Sequence, residues 1–190
     1  MRRDGASSII LVVLLFSSFV FPLISANQFV ISEDTTWSGD ITLDKDMIIS
    51  PGTTLLIEPG TTVDATNGHR IEVSGSMIAE GVHFYSTAIP TAQSSHGQGL
   101  WQGIIVNPGG VASLTDVLIE NANVGVKSYG ELSATNLTVE NSYFGIKNYA
   151  TTTLHDFRTE AIDYDAIMNS GSFTLTTANI TNASTGIQTD

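Results

Sequence analysis

The run Leu114-Thr-Asp-Val-Leu-Ile-Glu-Asn-Ala-Asn-Val-Gly-Val-Lys-Ser-Tyr-Gly130 is repeated at Ala134-Thr-Asn-Leu-Thr-Val-Glu-Asn-Ser-Tyr-Phe-Gly-Ile-Lys-Asn-Tyr-Ala150. At an offset of twenty the two copies are identical at Thr115/Thr135, Glu120/Glu140, Asn121/Asn141, Gly125/Gly145, Lys127/Lys147 and Tyr129/Tyr149. A third copy fits if one extra residue is allowed near Ala161, and a fourth returns to register. Four apolar columns result: Leu114/Ala134/Leu154/Leu175, Val117/Leu137/Phe157/Ala178, Ile119/Val139/Thr159/Ile180 and Val126/Ile146/Ile167/Ile187. Self-similarity at a fixed period of about twenty residues is the mark of a solenoid in which each repeat is one coil.

The spacing inside a copy says which solenoid. Val117 and Ile119 stand two apart with polar residues after them, as in a strand buried on one face. A helix would need apolar residues three and four apart and would not hold Gly and Asn at fixed interior positions. The L-x-x-L-x-L pattern of a leucine-rich solenoid is absent. The reading is an all-β, right-handed parallel β-helix of about twenty residues per coil, preceded by an N-terminal signal helix.

Two further columns carry structural expectations. Asn121, Asn141 and Asn182 stand four residues before the glycine column. Stacked one coil apart, they are expected to form a buried amide ladder and to supply the left-handed backbone of a corner. The glycines at 125, 145 and 186 are expected at the next corner, where a Cβ would clash or φ is positive.

Residues 1–26 read as a secretory signal: Arg2 and Arg3, an apolar stretch from Ile9 to Val20, then Pro22 and the small pair Ser25-Ala26. Residues 27–100 read as N-terminal coils with an exposed loop, and 101–190 as regular coils. From Asn27 onward five basic residues face eighteen acidic ones, a net charge of −13. Such a surface repels nucleic acid and anionic membrane, so neither is expected as a partner, nor is membrane insertion once the signal is removed. The chain has no cysteine, which excludes a disulfide-stapled domain and a lipoprotein anchor.

Asn136, Asn179 and Asn182 lie in Asn-x-Ser/Thr sequons and are glycosylation candidates on a secreted chain. Asn182, as a ladder residue, is expected to be buried. Pro51-Gly52, Pro59-Gly60, Asn67-Gly68 and Ser74-Gly75 punctuate short alternating segments between Phe29 and Ser86. Thr87 to Leu100 reads as a loop leaving the coil, with Trp101 covering the core where the chain re-enters.

At this point the chain resembles a known group. Gly52-Thr-Thr-Leu-Leu-Ile-Glu-Pro-Gly-Thr-Thr-Val63, Ile71-Glu-Val-Ser-Gly-Ser-Met-Ile-Ala-Glu-Gly81 and Trp101-Gln-Gly-Ile look like the opening coils of secreted right-handed parallel β-helix repeat proteins, of pectate-lyase-like architecture. The resemblance covers most of Thr36 to Asp190. It implies an extracytoplasmic place, secreted or at the cell surface, and a fold that hosts adhesins, polysaccharide lyases, glycoside hydrolases and structural stalks alike. The last coil ends at Asp190 without a closing segment, which suggests a fragment or end-to-end self-association.

For chemistry, the best local cluster is His155, Asp156, Arg158, Asp163 and Asp165. Asp163 and Asp165, two apart, are expected to share a strand face and could ligate calcium or act as paired carboxylates, with Arg158 as proton acceptor. His69, His83, His96 and His155 have no metal-ligand spacing, and no cofactor motif is present. Tyr129 and Tyr149 occupy one column and read first as an aromatic ladder that shields the seam between coils, and second as candidates for a glycan-stacking strip. An ice-binding face would need a regular Thr-x-Thr array, and the threonines of Thr151 to Thr153 and of Thr174 to Thr177 are read as lying in no common column. The functional reading is a structural or adhesive surface module that binds an extracellular glycan or surface protein without catalysis. The rival is a polysaccharide lyase or glycoside hydrolase using Asp156, Asp163 and Asp165.

Overall fold

The computed structural model describes residues 28–65, 68–87 and 101–190. The signal segment at 1–26 and the loop beyond Thr87, with His96, lie outside them. Among the described residues there is no helix, and every strand pair is parallel.

Each coil supplies three short strands. One coil is Val111–Thr115, Leu118–Glu120 and Val124–Ser128, and the next is Glu131–Thr135, Thr138–Ser142 and Phe144–Asn148. The first strands stack into a seven-stranded sheet, here called the first face. The second and third strands stack on two more faces, joined around a corner by the long strand Phe157–Asn169. The molecule is a parallel β-solenoid of three faces.

The apolar columns are as the repeat implies. Leu114, Ala134, Leu154 and Leu175 are successive register partners, and so are Ile119, Val139, Thr159 and Ile180. Val126, Ile146, Ile167 and Ile187 form the matching column of the third face. In the inner coils these side chains are buried, and each Leu, Ile and Val among them contributes about 1.5–3 kcal/mol on leaving water. Trp101 is fully buried, stacks 6.2 Å from Phe84 and donates from Nε1 to the Glu120 carbonyl at 2.9 Å.

The extra residue of the third copy has a definite place. Ser142 pairs with Ile162 at an offset of twenty and Ile146 with Ile167 at twenty-one, and toward the next coil the register slips between Ile162 and Asp165. The extra residue is therefore carried by the pair Asp163–Tyr164, a β-bulge.

Three column expectations are corrected. Asn121 (φ 57°), Asn141 (φ 48°) and Asn182 (φ 52°) do take the left-handed corner conformation, with Ala161 (φ 54°) as the missing member. They do not form a buried ladder: Asn141 and Asn182 are exposed, and Asn121 donates to the Ser86 carbonyl at 3.2 Å. The left-handed turn directs these side chains away from the core. Gly125 and Gly145 lie within strands and have no positive φ. They are small because of a close approach: a Cβ on Gly125 would come within 2.7 Å of the Gly145 carbonyl oxygen and of Val139. Thr153 and Thr174 are register partners after all. The hydroxyl face they belong to is interrupted at Val111, Glu131 and His155, so it is not a regular array.

Candidate functional site

A second corner column accounts for two residues that the sequence put forward for chemistry. Asp116 (φ 52°), Asn136 (φ 53°) and Asp156 (φ 55°) are stacked left-handed residues, each turning the chain between the first and second faces. Small Asx side chains tolerate this backbone best. Asn136 donates to Asp116 Oδ1 at 2.6 Å and accepts from Arg158 Nη1, while Asp156 lies 3.2 Å from His155 Nδ1. Asp156 and Arg158 thus serve the corner, and Arg158 points at Asn136.

Asp163 and Asp165 do not share a face. The bulge breaks the two-residue alternation, leaving Asp163 exposed and Asp165 buried. Among the described residues no group of three or more His, Asp or Glu side chains has a geometry able to hold a metal ion. Of the sequon residues, Asn179 and Asn182 are exposed and Asn136 is engaged in the corner network.

The tyrosine column takes a more definite form. Tyr129 and Tyr149 stack with ring centroids 4.9 Å apart and planes 14° from parallel, at 38% and 37% exposure. That separation is the strand spacing itself, so the stack follows directly from in-register coils. Lys127 Nζ lies 5.2 Å from the Tyr129 centroid and 5.8 Å from that of Tyr149.

Beside this pair stands a second aromatic group that the repeat does not announce. Tyr143 and Tyr164 approach to 4.4 Å, Phe144 meets Tyr143 edge-on at 4.8 Å, and Phe144 lies 5.4 Å from Tyr164. Tyr164 belongs to the bulge between Ile162 and Asp165, and its ring lies against that of Tyr143. Lys147 Nζ rests 3.2 Å from the Phe144 centroid. Tyr164 is 42% exposed.

The site is therefore a strip on the third face and its corner: Tyr143, Phe144 and Tyr164 at one side, Tyr129 and Tyr149 at the other, with Lys127 and Lys147 between. Burial beneath Phe144 lowers the Lys147 pKa from its ordinary value, and the Lys127 charge lowers it further against an opposing pull from Asp165. The hydrogen bond to Tyr164 pushes the Tyr143 hydroxyl up to about 12, with desolvation and the charges of Tyr164 and Asp163 adding to it.

A column of carboxylates, Glu120, Glu140 and Glu160, runs along the second face in register. His83 Nε2 meets Glu120 Oε2 at 2.5 Å at one end of it. Desolvation, then the charges of Glu120 and Glu160, raise the Glu140 pKa, with His83 acting the other way.

Compared with family models, curated proteins and solved structures, the chain matches none.

Proposed function

We propose that this chain is a non-catalytic module of an exported protein that holds a polysaccharide on its aromatic strip. The carrying observation is the exposed, near-parallel Tyr129–Tyr149 stack beside Tyr164. Pyranose rings present flat CH faces that pack on aromatic faces, and tyrosine adds a hydroxyl at the water boundary. Five aromatic side chains gathered over three coils suit an extended ligand better than a small metabolite. The separation of Asp163 from Asp165 by the bulge, and the corner role of Asp156, favour binding over catalysis. The apolar stretch behind Arg2 and Arg3 supports export.

The test is affinity electrophoresis of the chain through a panel of neutral and acidic polysaccharides, beside Tyr129→Ala/Tyr149→Ala and Tyr164→Ala. Retardation of the parent by at least one polymer is expected, weakened about tenfold in the tyrosine variants. A parent that runs unretarded through the whole panel sinks the reading. New reducing ends in the same incubations would turn it toward hydrolysis or lysis.

A further inference from the structure

We infer that the polymer held by the strip is a sulfated polysaccharide, with Lys127 and Lys147 as its anion-binding residues. This rests on the strip being a glycan platform and names the class of glycan.

The two lysines are an anomaly in this molecule. They are register partners on adjacent strands, so their side chains leave the wall about 4.8 Å apart. Like charges directly opposite one another destabilise a parallel pair as they do an antiparallel one. The chain has ample means to neutralise them, with eighteen acids against five bases beyond residue 26. Arg70 shows the ordinary solution: it pairs with Asp46 at 3.3 Å and with Glu72 at 2.5 Å. Among the described residues neither Lys127 nor Lys147 makes an ion pair, and both ammonium groups lie over aromatic rings instead. Asp165, the acid that acts on Lys147, is buried and forms no ion pair with it. An external anion would relieve both the repulsion and the missing partner.

The nature of that anion follows from the surroundings. Two lysine side chains one coil apart are long enough to turn their ammonium groups onto a single tetrahedral group with three acceptor oxygens, whereas planar carboxylates are best met by the fork of an arginine. A sulfate ester is weakly hydrated and gives up its water readily beside aromatic surface. The net charge of −13 beyond residue 26 repels a polyanion over the surface at large, which favours a ligand that brings its charge onto this one spot. An extended polysaccharide advances by roughly one coil spacing per sugar. Rings can then lie against Tyr149 and Tyr164 while a sulfate lies between the lysines.

The experiment measures binding of the chain to dextran sulfate, unsubstituted dextran and polygalacturonate, for the parent, Lys127→Gln/Lys147→Gln, and Lys45→Gln as a basic residue away from the strip. Dextran sulfate is expected to bind most tightly, to weaken as salt rises, and to lose about tenfold in the double variant. Lys45→Gln should bind as the parent does. A double variant that binds dextran sulfate undiminished, or a parent that binds polygalacturonate as tightly as dextran sulfate, overturns the inference. If neutral polymers bind through the tyrosines and dextran sulfate binds no tighter, the sulfate assignment falls while the glycan platform stands. If no polysaccharide binds, both fall.

Discussion

Asn148 donates from Nδ2 to Oδ1 of Asn169, one coil further on, at 2.7 Å. Asn148 is fully buried, and its own Oδ1 accepts from the Ala150 amide at 3.1 Å and from Thr152 Oγ1 at 2.9 Å. Asn169 repeats the pattern, accepting from the Gly171 amide at 3.3 Å. This is the amide ladder of the molecule, set where the third face turns back into the first.

Asn148→Ala should therefore destabilise strongly, since it strands the Ala150 amide and the Thr152 hydroxyl inside the wall. A loss of about 2–4 kcal/mol is expected, from unsatisfied buried polar groups. Urea unfolding beside Asn141→Ala, an exposed residue outside the ladder, checks it. Equal effects of the two substitutions would remove the ladder from the account.

Ala161 sits in a corner column otherwise filled by Asn, at φ 54°. A Cβ in that conformation costs about 1–2 kcal/mol, which Gly avoids and Asn partly avoids. Ala161→Gly is expected to stabilise the chain by about 1 kcal/mol, less the entropy that glycine gains in the unfolded chain. Thermal melting reads the sign, and a lower midpoint for both Ala161→Gly and Ala161→Asn refutes the strain argument.

How far these features were legible in the sequence depended on what repeats. Val126, Ile146, Ile167 and Ile187 announce themselves because burial on one face preserves an apolar residue at a constant offset. The ladder does not, because its column reads Ser128, Asn148, Asn169, and a change from hydroxyl to amide looks like surface drift. Asp156 looked like chemistry because a charged residue near Asp163 suggests a site. Only its φ shows that it turns a corner. Tyr164 was hidden because it falls in the bulge between Ile162 and Asp165, where the repeat gives it no fixed column partner. The Tyr129–Tyr149 stack was legible outright, as identity in an exposed column.

Glu140 lies between Glu120 and Glu160 in register, and its pKa is raised above the ordinary 4.5. The folded state thus holds that proton more tightly than the unfolded chain. Its contribution makes stability fall as pH rises from 4.5 through the raised value, and the full penalty is present at neutral pH. Glu140→Gln should stabilise at pH 7 by a few tenths of a kcal/mol, limited by solvent screening of exposed side chains. The gain over the parent should vanish as pH drops to about 3, well below 4.5, where the carboxyl is protonated in both states. Paired urea titrations at the two pH values decide it. A gain that is the same at both would mean that carboxylate repulsion is not the cause.

The Tyr143–Tyr164 contact can be tested without any ligand, because it rests on an ionisation. With its hydroxyl tied to Tyr164 and pushed up to about 12, Tyr143 should stay protonated well above the ordinary tyrosine value of 10. Alkaline difference spectra at the phenolate band should therefore show a late-titrating component close to the limit of folding. Tyr164→Phe deletes the partner hydroxyl, whose hydrogen bond is the largest contribution to the shift, and its charge with it, so the remaining Tyr143 should titrate earlier. Asp163→Asn, which removes only the smallest contribution, should move it less. Tyr143→Phe should abolish the late component altogether, since it removes the hydroxyl that carries it. If the late component survives Tyr143→Phe, Tyr143 is not the late-titrating residue and the Tyr143–Tyr164 hydrogen bond drops out of the account.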